Sequence, residues 1–336
     1  MDKVAFIIGE TFIYWNSIIL TLAVAGGICL FVAFYVGKSG NGLAASLTVP
    51  LSIVLSTVCA RFIHWYCRTD SYGSFYSAMT DYTSGGYALL GVFAGCFLAA
   101  LLLRLLWISR DLPQMLDSMC LAGCAAIGVG RLASFFSASD RGQIVENMTE
   151  LPWVYPVTNA VSGVTEYRLA TFVIQAMVAG VIFLVLTLFY GIRHKKIKSG
   201  DITLLFLLLY GASQVVLDST RYDSLFFRSN GFVSVVQVFS ALGLGLAIVV
   251  FSVRMVKTRG FKAWYLALWL PIAACIGGAG YMEYHVQRHG DQAVFAYTVM
   301  SACLAGVILL TLIIRLLAVT GEGKSNEHHD GERKGL

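Results

Sequence analysis

Nine long apolar runs, at about 12–36, 43–66, 86–107, 113–136, 169–192, 202–218, 232–253, 263–282 and 293–318, leave this chain few ways to fold. Each is near the roughly 20 residues that cross about 30 Å of hydrocarbon. Inside a bilayer the backbone N–H and C=O groups must find partners within the protein, which favours helices. The runs therefore predict an all-α, polytopic membrane helix bundle of about nine transmembrane helices. Composition agrees: 57% of the 336 residues are hydrophobic and 13% charged, with a mean hydropathy of +0.74, outside the usual range of a soluble core.

The first run has no basic leader and no clear small-residue cleavage site, so it predicts a retained helix and not a signal peptide. Lysine and arginine set the orientation, because cytoplasmic loops hold their excess. Of 24 such residues, 15 fall in the alternate loops headed by Lys38, Arg104, Arg193 and Arg254 and in the C-terminal tail, which predicts an outside N-terminus and a cytoplasmic C-terminus. Two polar stretches, 67–85 and 137–168, are expected to form an external cap. The tail from Gly321, poor in apolar residues, is expected to be disordered. The eight cysteines fall within or just beyond apolar runs without paired ligand spacing and read as small packing residues. The sequon Asn147-Met148-Thr149 is a weak glycosylation signal. The sequence shows no nucleotide loop, metal cluster or soluble catalytic triad, and implies no cofactor and no nucleic-acid partner.

Against this apolar background Arg61, Arg131 and Arg221 each lie near the end of a run. Charge at that depth is costly and usually faces a protein interior or an anionic ligand. The fourth run places small residues at 122, 123, 125, 126, 128 and 130 just before Arg131, which permits close helix packing and predicts an arginine inside the bundle. Ser134 and Phe135 follow at i+3 and i+4, then Ser137, Ser139 and Asp140. In the sixth run Tyr210, Gln214, Asp218 and Arg221 are spaced to share one helix face. The second run contributes Arg61 and His64, again i and i+3. Guanidinium suits bidentate phosphate binding in a partly dry site, and the anion available at that depth is a phospholipid headgroup.

These residues resemble the prolipoprotein diacylglyceryl transferase family. Gly130-Arg131-Leu132-Ala133-Ser134-Phe135-Phe136-Ser137-Ala138-Ser139-Asp140-Arg141-Gly142 is similar to that family's signature, Gly-Arg-[Ile/Leu]-Gly-Asn-Phe-[Ile/Leu]-Asn-Gly-Glu with a glycine three further on. Tyr210 to Asp223 is similar to its later Tyr-Gly-x-x-Arg-x-x-x-Glu-x-x-Arg-x-x-Asp segment. Arg61 resembles the arginine of its Gly-Arg-x-x-Tyr stretch, and Tyr14-Trp15-Asn16-Ser17 its His-Trp-Tyr-Gly. Several positions depart from the pattern. Leu90 takes the place of the histidine in Phe-His-Gly-Gly, Ser134 and Ser137 replace two asparagines, and Ser139 replaces a glutamate with Asp140 adjacent. Gln214 replaces an arginine and Asp218 a glutamate.

The resemblance implies a diacylglyceryl transferase-like domain over 1–257 with a seven-helix core, an added C-terminal hairpin over 258–320 and the tail at 321–336. It implies a bacterial plasma-membrane enzyme that moves a diacylglyceryl group from phosphatidylglycerol to the lipobox cysteine of a preprotein at the outer face. Its partners would be phosphatidylglycerol, lipobox-containing preproteins and membrane lipid. Such chemistry asks for cations on the phosphate and a base for the thiol. Arg131, Arg221 and His64 are the candidate catalytic residues, with Arg61, Ser134, Ser137, Asp140, Tyr210, Gln214 and Asp218 as substrate-binding candidates and no metal. A catalytically degenerate lipid-binding or lipoprotein-recognising paralogue is the alternative. A small-solute transporter is a third: Pro50 and Pro271 could break helices around a midplane site, but no inverted repeat is evident.

Overall fold

The computed structural model describes residues 3–334 apart from 40, 82–84, 110, 138, 146–152, 159–162, 194–197, 229 and 290–291, and describes no side chains at 193, 230, 232, 289 or beyond 320. The sequon at Asn147 lies outside the described residues. In chain order the elements are β1 (Val4–Ile8), β2 (Thr11–Tyr14), α1 (Trp15–Ser39), α2 (Gly42–Cys67), α3 (Phe75–Thr80), α4 (Leu89–Leu105), α5 (Leu112–Arg131), β3 (Val154–Thr158), β4 (Thr165–Leu169), α6 (Thr171–Arg193), α7 (Asp201–Ser219), β5 (Phe226–Phe227), β6 (Asn230–Ser234), α8 (Val235–Arg259), α9 (Leu266–His289) and α10 (Ala293–Lys334). Consecutive strands pair as three separate antiparallel hairpins.

All nine apolar runs are helical. Among the described residues eight helices are long and apolar enough to cross a membrane, and α4 is a shorter apolar helix. It starts at Leu89, later than expected, because Gly85 and Gly86 hold the preceding chain at φ +66° and +83°, outside helical space. Its 17 residues rise about 26 Å. α10 continues as backbone to Lys334, through the tail expected to be disordered.

The chain divides into two compact units, one of residues 1–206 and 220–236, the other of residues 207–219 and 237–336. In the first unit, glycine sets how closely helices approach. A β-carbon on Gly91 or Gly95 of α4 would lie 2.3 Å from the backbone of Ala60 or Ser56 of α2, so the two helices cross with backbones in contact. Ser56 Oγ donates to the Val92 carbonyl there, at 3.0 Å. The small stripe of α5 serves two neighbours: Gly130 faces Ala23 and Ala126 faces Gly27 on α1, while Gly128 faces Ala176 and Gly180 on α6.

Caps start these helices. Asn41 accepts from Ala44 N at 3.0 Å to begin α2, and Asp111 accepts from Gln114 N at 3.2 Å to begin α5. Asp117, buried within α5, accepts from Gly200 N and Thr203 N, each at 2.8 Å, and from Thr203 Oγ1 at 2.7 Å. It thus caps the N-terminus of α7 from a neighbouring helix, where free N–H groups and the helix dipole favour a carboxylate.

In the second unit Gly211 of α7 packs against the Ser240 carbonyl of α8, and Gly278 of α9 and Gly306 of α10 pack against Cys303 and Cys275. Trp269 Nε1 donates to Ser252 Oγ at 3.1 Å, joining α9 to α8. Tyr297 of α10 donates to the carbonyl of Ser219, the last residue of α7, at 3.2 Å. All eight cysteines are free thiols.

Candidate functional site

Arg131 ends α5, and a 3-10 turn, Leu132–Phe136, follows directly. A 3-10 turn brings residue i+3 above residue i and swings i+4 away. Ser134 is accordingly buried, whereas Phe135 is 46% exposed, so the two do not share the face that an uninterrupted helix would give them. The chain then doubles back at Asp140, which has φ +58°, a left-handed conformation that aspartate tolerates better than most residues.

That reversal aims the Asp140 carboxylate at Arg131 and Arg221. Its Oδ1 pairs with Arg131 Nη1 and with Arg221 Nη2 at 2.9 Å, and its Oδ2 accepts from Ser134 Oγ at 2.9 Å. Asp223 closes the cluster: its Oδ1 accepts from Arg221 Nε at 3.1 Å and Nη2 at 3.0 Å, and its Oδ2 from the Asp140 N–H at 2.8 Å. Ser137 and Ser139 hydroxyls lie 2.6 Å apart, and Ser139 is 3.5 Å from Ser134. Burial pushes the Asp140 carboxyl up, but Arg131 and Arg221 outweigh it, with help from Ser134, and hold its pKa at about 2. The carboxylate sits at 140, not at 139, where a serine hydroxyl stands.

Arg221 is not on the face of α7, because the helix stops at Ser219. It is held instead by an antiparallel bridge to Gly142, with Gln143 N donating to the Thr220 carbonyl at 3.1 Å and Tyr222 N to the Arg141 carbonyl at 2.9 Å. On its other side Gly142 N donates to the Leu169 carbonyl, at 3.0 Å, at the end of β4. Strand β4 also supplies Arg168, which pairs with Glu166 at 2.7 Å and lies 4.6 Å over the Tyr222 ring. Asp223, Gly142 and Arg168 thus build the site without having been singled out as candidates. The acid at 223, two residues after Arg221, was the available signal.

Arg61 and His64 form a second network. Arg61 is 3% exposed, and its guanidinium donates to the carbonyls of Ala78, Asp81 and Gly86 between the rings of Tyr72 and Tyr87, at 5.1 and 5.2 Å. It fastens the segment after α3 to α2. His64 Nδ1 lies 3.1 Å from the Tyr72 hydroxyl, and a β-carbon on Gly86 would be 2.6 Å from the His64 ring. The networks meet where Arg68 donates to the Asp223 carbonyl at 3.3 Å and Arg228 to the Tyr66 carbonyl at 3.0 Å. Leu90 lies in the first turn of α4, beside the Gly91 crossing. In the second unit Tyr210, Gln214 and Asp218 are all buried along α7.

Among the described residues no group of three or more His, Cys, Asp or Glu side chains is placed to hold a metal ion. Apolar helices of spanning length, with two guanidiniums sharing one carboxylate at the helix ends, define a multi-pass membrane protein with a part-buried arginine pair. The model of the family described as prolipoprotein diacylglyceryl transferase matches residues 3–253. The chain belongs to this family.

Curated relatives named phosphatidylglycerol–prolipoprotein diacylglyceryl transferase include one from Finegoldia magna, 28% identical over 67% of this chain and 86% of the relative. One from Streptococcus pneumoniae is 28% identical over 61% of this chain and 77% of its own. One from Streptococcus sanguinis is 22% identical over 73% and 94%.

Proposed function

We propose that this chain transfers a diacylglyceryl group from phosphatidylglycerol to the lipobox cysteine thiol of a prolipoprotein. The reaction would take place at the outer face of a bacterial plasma membrane, with the N-terminus outside and the C-terminus cytoplasmic. The observation that carries this reading is the convergence of Arg131 and Arg221 on one carboxylate oxygen at the end of the helices, in a chain of this family. A site that already holds a bridging anion between two guanidiniums suits a lipid phosphodiester and the charge that grows on its leaving oxygen.

In this reading Arg131 and Arg221 take the phosphate, and Ser134 and Ser137 supply hydroxyls beside it. Arg61 acts through the segment it fastens and is a positioning residue. Two side chains, His64 and Asp140, have the chemistry to accept the thiol proton.

Single-turnover transfer from labelled phosphatidylglycerol to a lipobox peptide tests the proposal. The wild-type chain should transfer, and Arg131→Ala should lower the rate at least 100-fold while the protein stays folded, a loss typical of removing one electrostatic contact to the transition state. Undiminished transfer by that variant would refute the arginine assignment.

Leu90 and Gln214, standing where the family has a histidine and an arginine, favour one other reading, a paralogue that binds the lipid without turning it over. Tight phosphatidylglycerol binding by a wild-type chain with no transfer would establish it.

A further inference from the structure

Asp140 is held by opposing influences that a bound lipid would unbalance. Its Oδ1 is shared by Arg131 and Arg221, its Oδ2 accepts from Ser134, and its N–H is anchored on Asp223. While both guanidiniums sit on the carboxylate, its lone pairs are engaged and it is a very weak base. A phosphodiester that takes the same guanidiniums removes both counter-charges, and burial, which disfavours a charged carboxylate, is then opposed chiefly by the Ser134 hydroxyl. The carboxylate becomes basic at the moment the phosphate arrives, within a side chain's reach of it.

His64 is placed differently. Its Nδ1 faces the Tyr72 hydroxyl, Gly86 closes over its ring, and its network reaches the arginine cluster through Arg68 and the backbone of Asp223. Phosphate binding at Arg131 and Arg221 changes the counter-charges of Asp140 directly and those of His64 only at a remove.

We propose that Asp140 is the general base of the transfer, kept idle as the counter-ion of Arg131 and Arg221 until the lipid phosphate displaces it; this rests on the transferase reading above. The cysteine S–H proton passes to the Asp140 carboxylate. Sulfur forms its bond to the glyceryl carbon as that carbon's bond to the phosphate oxygen breaks, and the electron pair leaves on that oxygen as glycerol phosphate. The proton then moves from Asp140 to the departing phosphate monoester, and the carboxylate returns to the arginines. No oxidant or second reactant is needed, and the base is switched on by the substrate it serves.

The test is Asp140→Asn in the full-length protein, since asparagine keeps the side chain's shape and tolerates the left-handed backbone. Transfer to a lipobox peptide is measured beside affinity for phosphatidylglycerol in phosphatidylcholine nanodiscs. Transfer should fall about 100-fold or more, the usual contribution of a general base. Affinity should hold or rise by up to about 10-fold, because the competing anion is gone. Asp140→Glu should regain part of the rate, and His64→Gln should lose far less than Asp140→Asn.

Transfer by Asp140→Asn near the wild-type rate would overturn the proposal and leave the transferase reading intact. So would a parallel loss of lipid affinity and rate, which marks a purely structural counter-ion. A wild-type chain that binds the lipid through Arg131 but never transfers it would overturn both.

Discussion

Gly142 stands opposite Arg221 in an antiparallel bridge, and a β-carbon on it would lie 2.4 Å from the Leu169 carbonyl and 2.7 Å from Thr171 Oγ1. Backbone cannot yield as a side chain can, so Gly142→Ala must push the 140–143 segment off β4 or off Arg221. The variant should remain membrane-inserted but lose transfer by about 10- to 100-fold, the scale of a reacting group displaced by about 1 Å. A rate within twofold of wild type would show that the bridge does not set the arginine's position.

Arg61 should govern stability more than chemistry. It is a buried cation that donates to three carbonyls, and Arg61→Met removes that donor from each of them, at a cost of about 3–5 kcal/mol. Thermal unfolding in detergent should shift down sharply, and limited proteolysis should find new cleavage between residues 78 and 86.

Acid should loosen the arginine cluster over a defined interval. The Asp140 pKa in the folded chain lies near 2, below that of an unfolded aspartate, so its contribution is fully present above about pH 4 and lost as the pH falls toward 2. The depression corresponds to roughly 2 kcal/mol. Asp140→Asn should flatten that part of the stability curve, measured as the unfolding midpoint against pH.

Gly91→Leu and Gly95→Leu should prevent the crossing of α4 on α2, since a side chain at either site would meet backbone at 2.3 Å. Loss of folded protein in a fluorescence-detected gel-filtration assay is the expected result. A well-folded Gly95→Leu protein would mean that the two helices can part by a full side-chain width.

Asp117→Asn keeps a side chain of similar shape but removes the charge and one acceptor at the start of α7. A helix-capping carboxylate contributes about 1 kcal/mol or somewhat more when buried. The variant's unfolding midpoint should drop by a few degrees, with lipid transfer retained.

The helices were legible because a bilayer leaves one local signal, a long apolar run, and all nine runs are helical. Arg131 was legible as an arginine turned toward the protein for a related reason, since the small residues preceding it are the ones that let α1 and α6 approach. Arg221 was misplaced because helical spacing extrapolates past Ser219, whereas a long-range bridge to Gly142 decides where that residue goes. Partners that are backbone carbonyls, such as those of Arg61, leave no trace in side-chain identity. The short hairpins between helices were missed because strands of two to five residues carry too few alternations to stand out from loops.

One helix is gripped at two levels. Asp117 holds the start of α7, and Arg131, fourteen residues later, holds Asp140, a separation of roughly 21 Å along the axis. A rod pinned at both levels cannot slide to suit the membrane around it. In a thicker or thinner bilayer the lipid must deform, or the whole bundle must tilt. The axial distance between the α7 cap and the arginine pair is thereby fixed by the protein, and bilayer thickness becomes a variable to which transfer should respond.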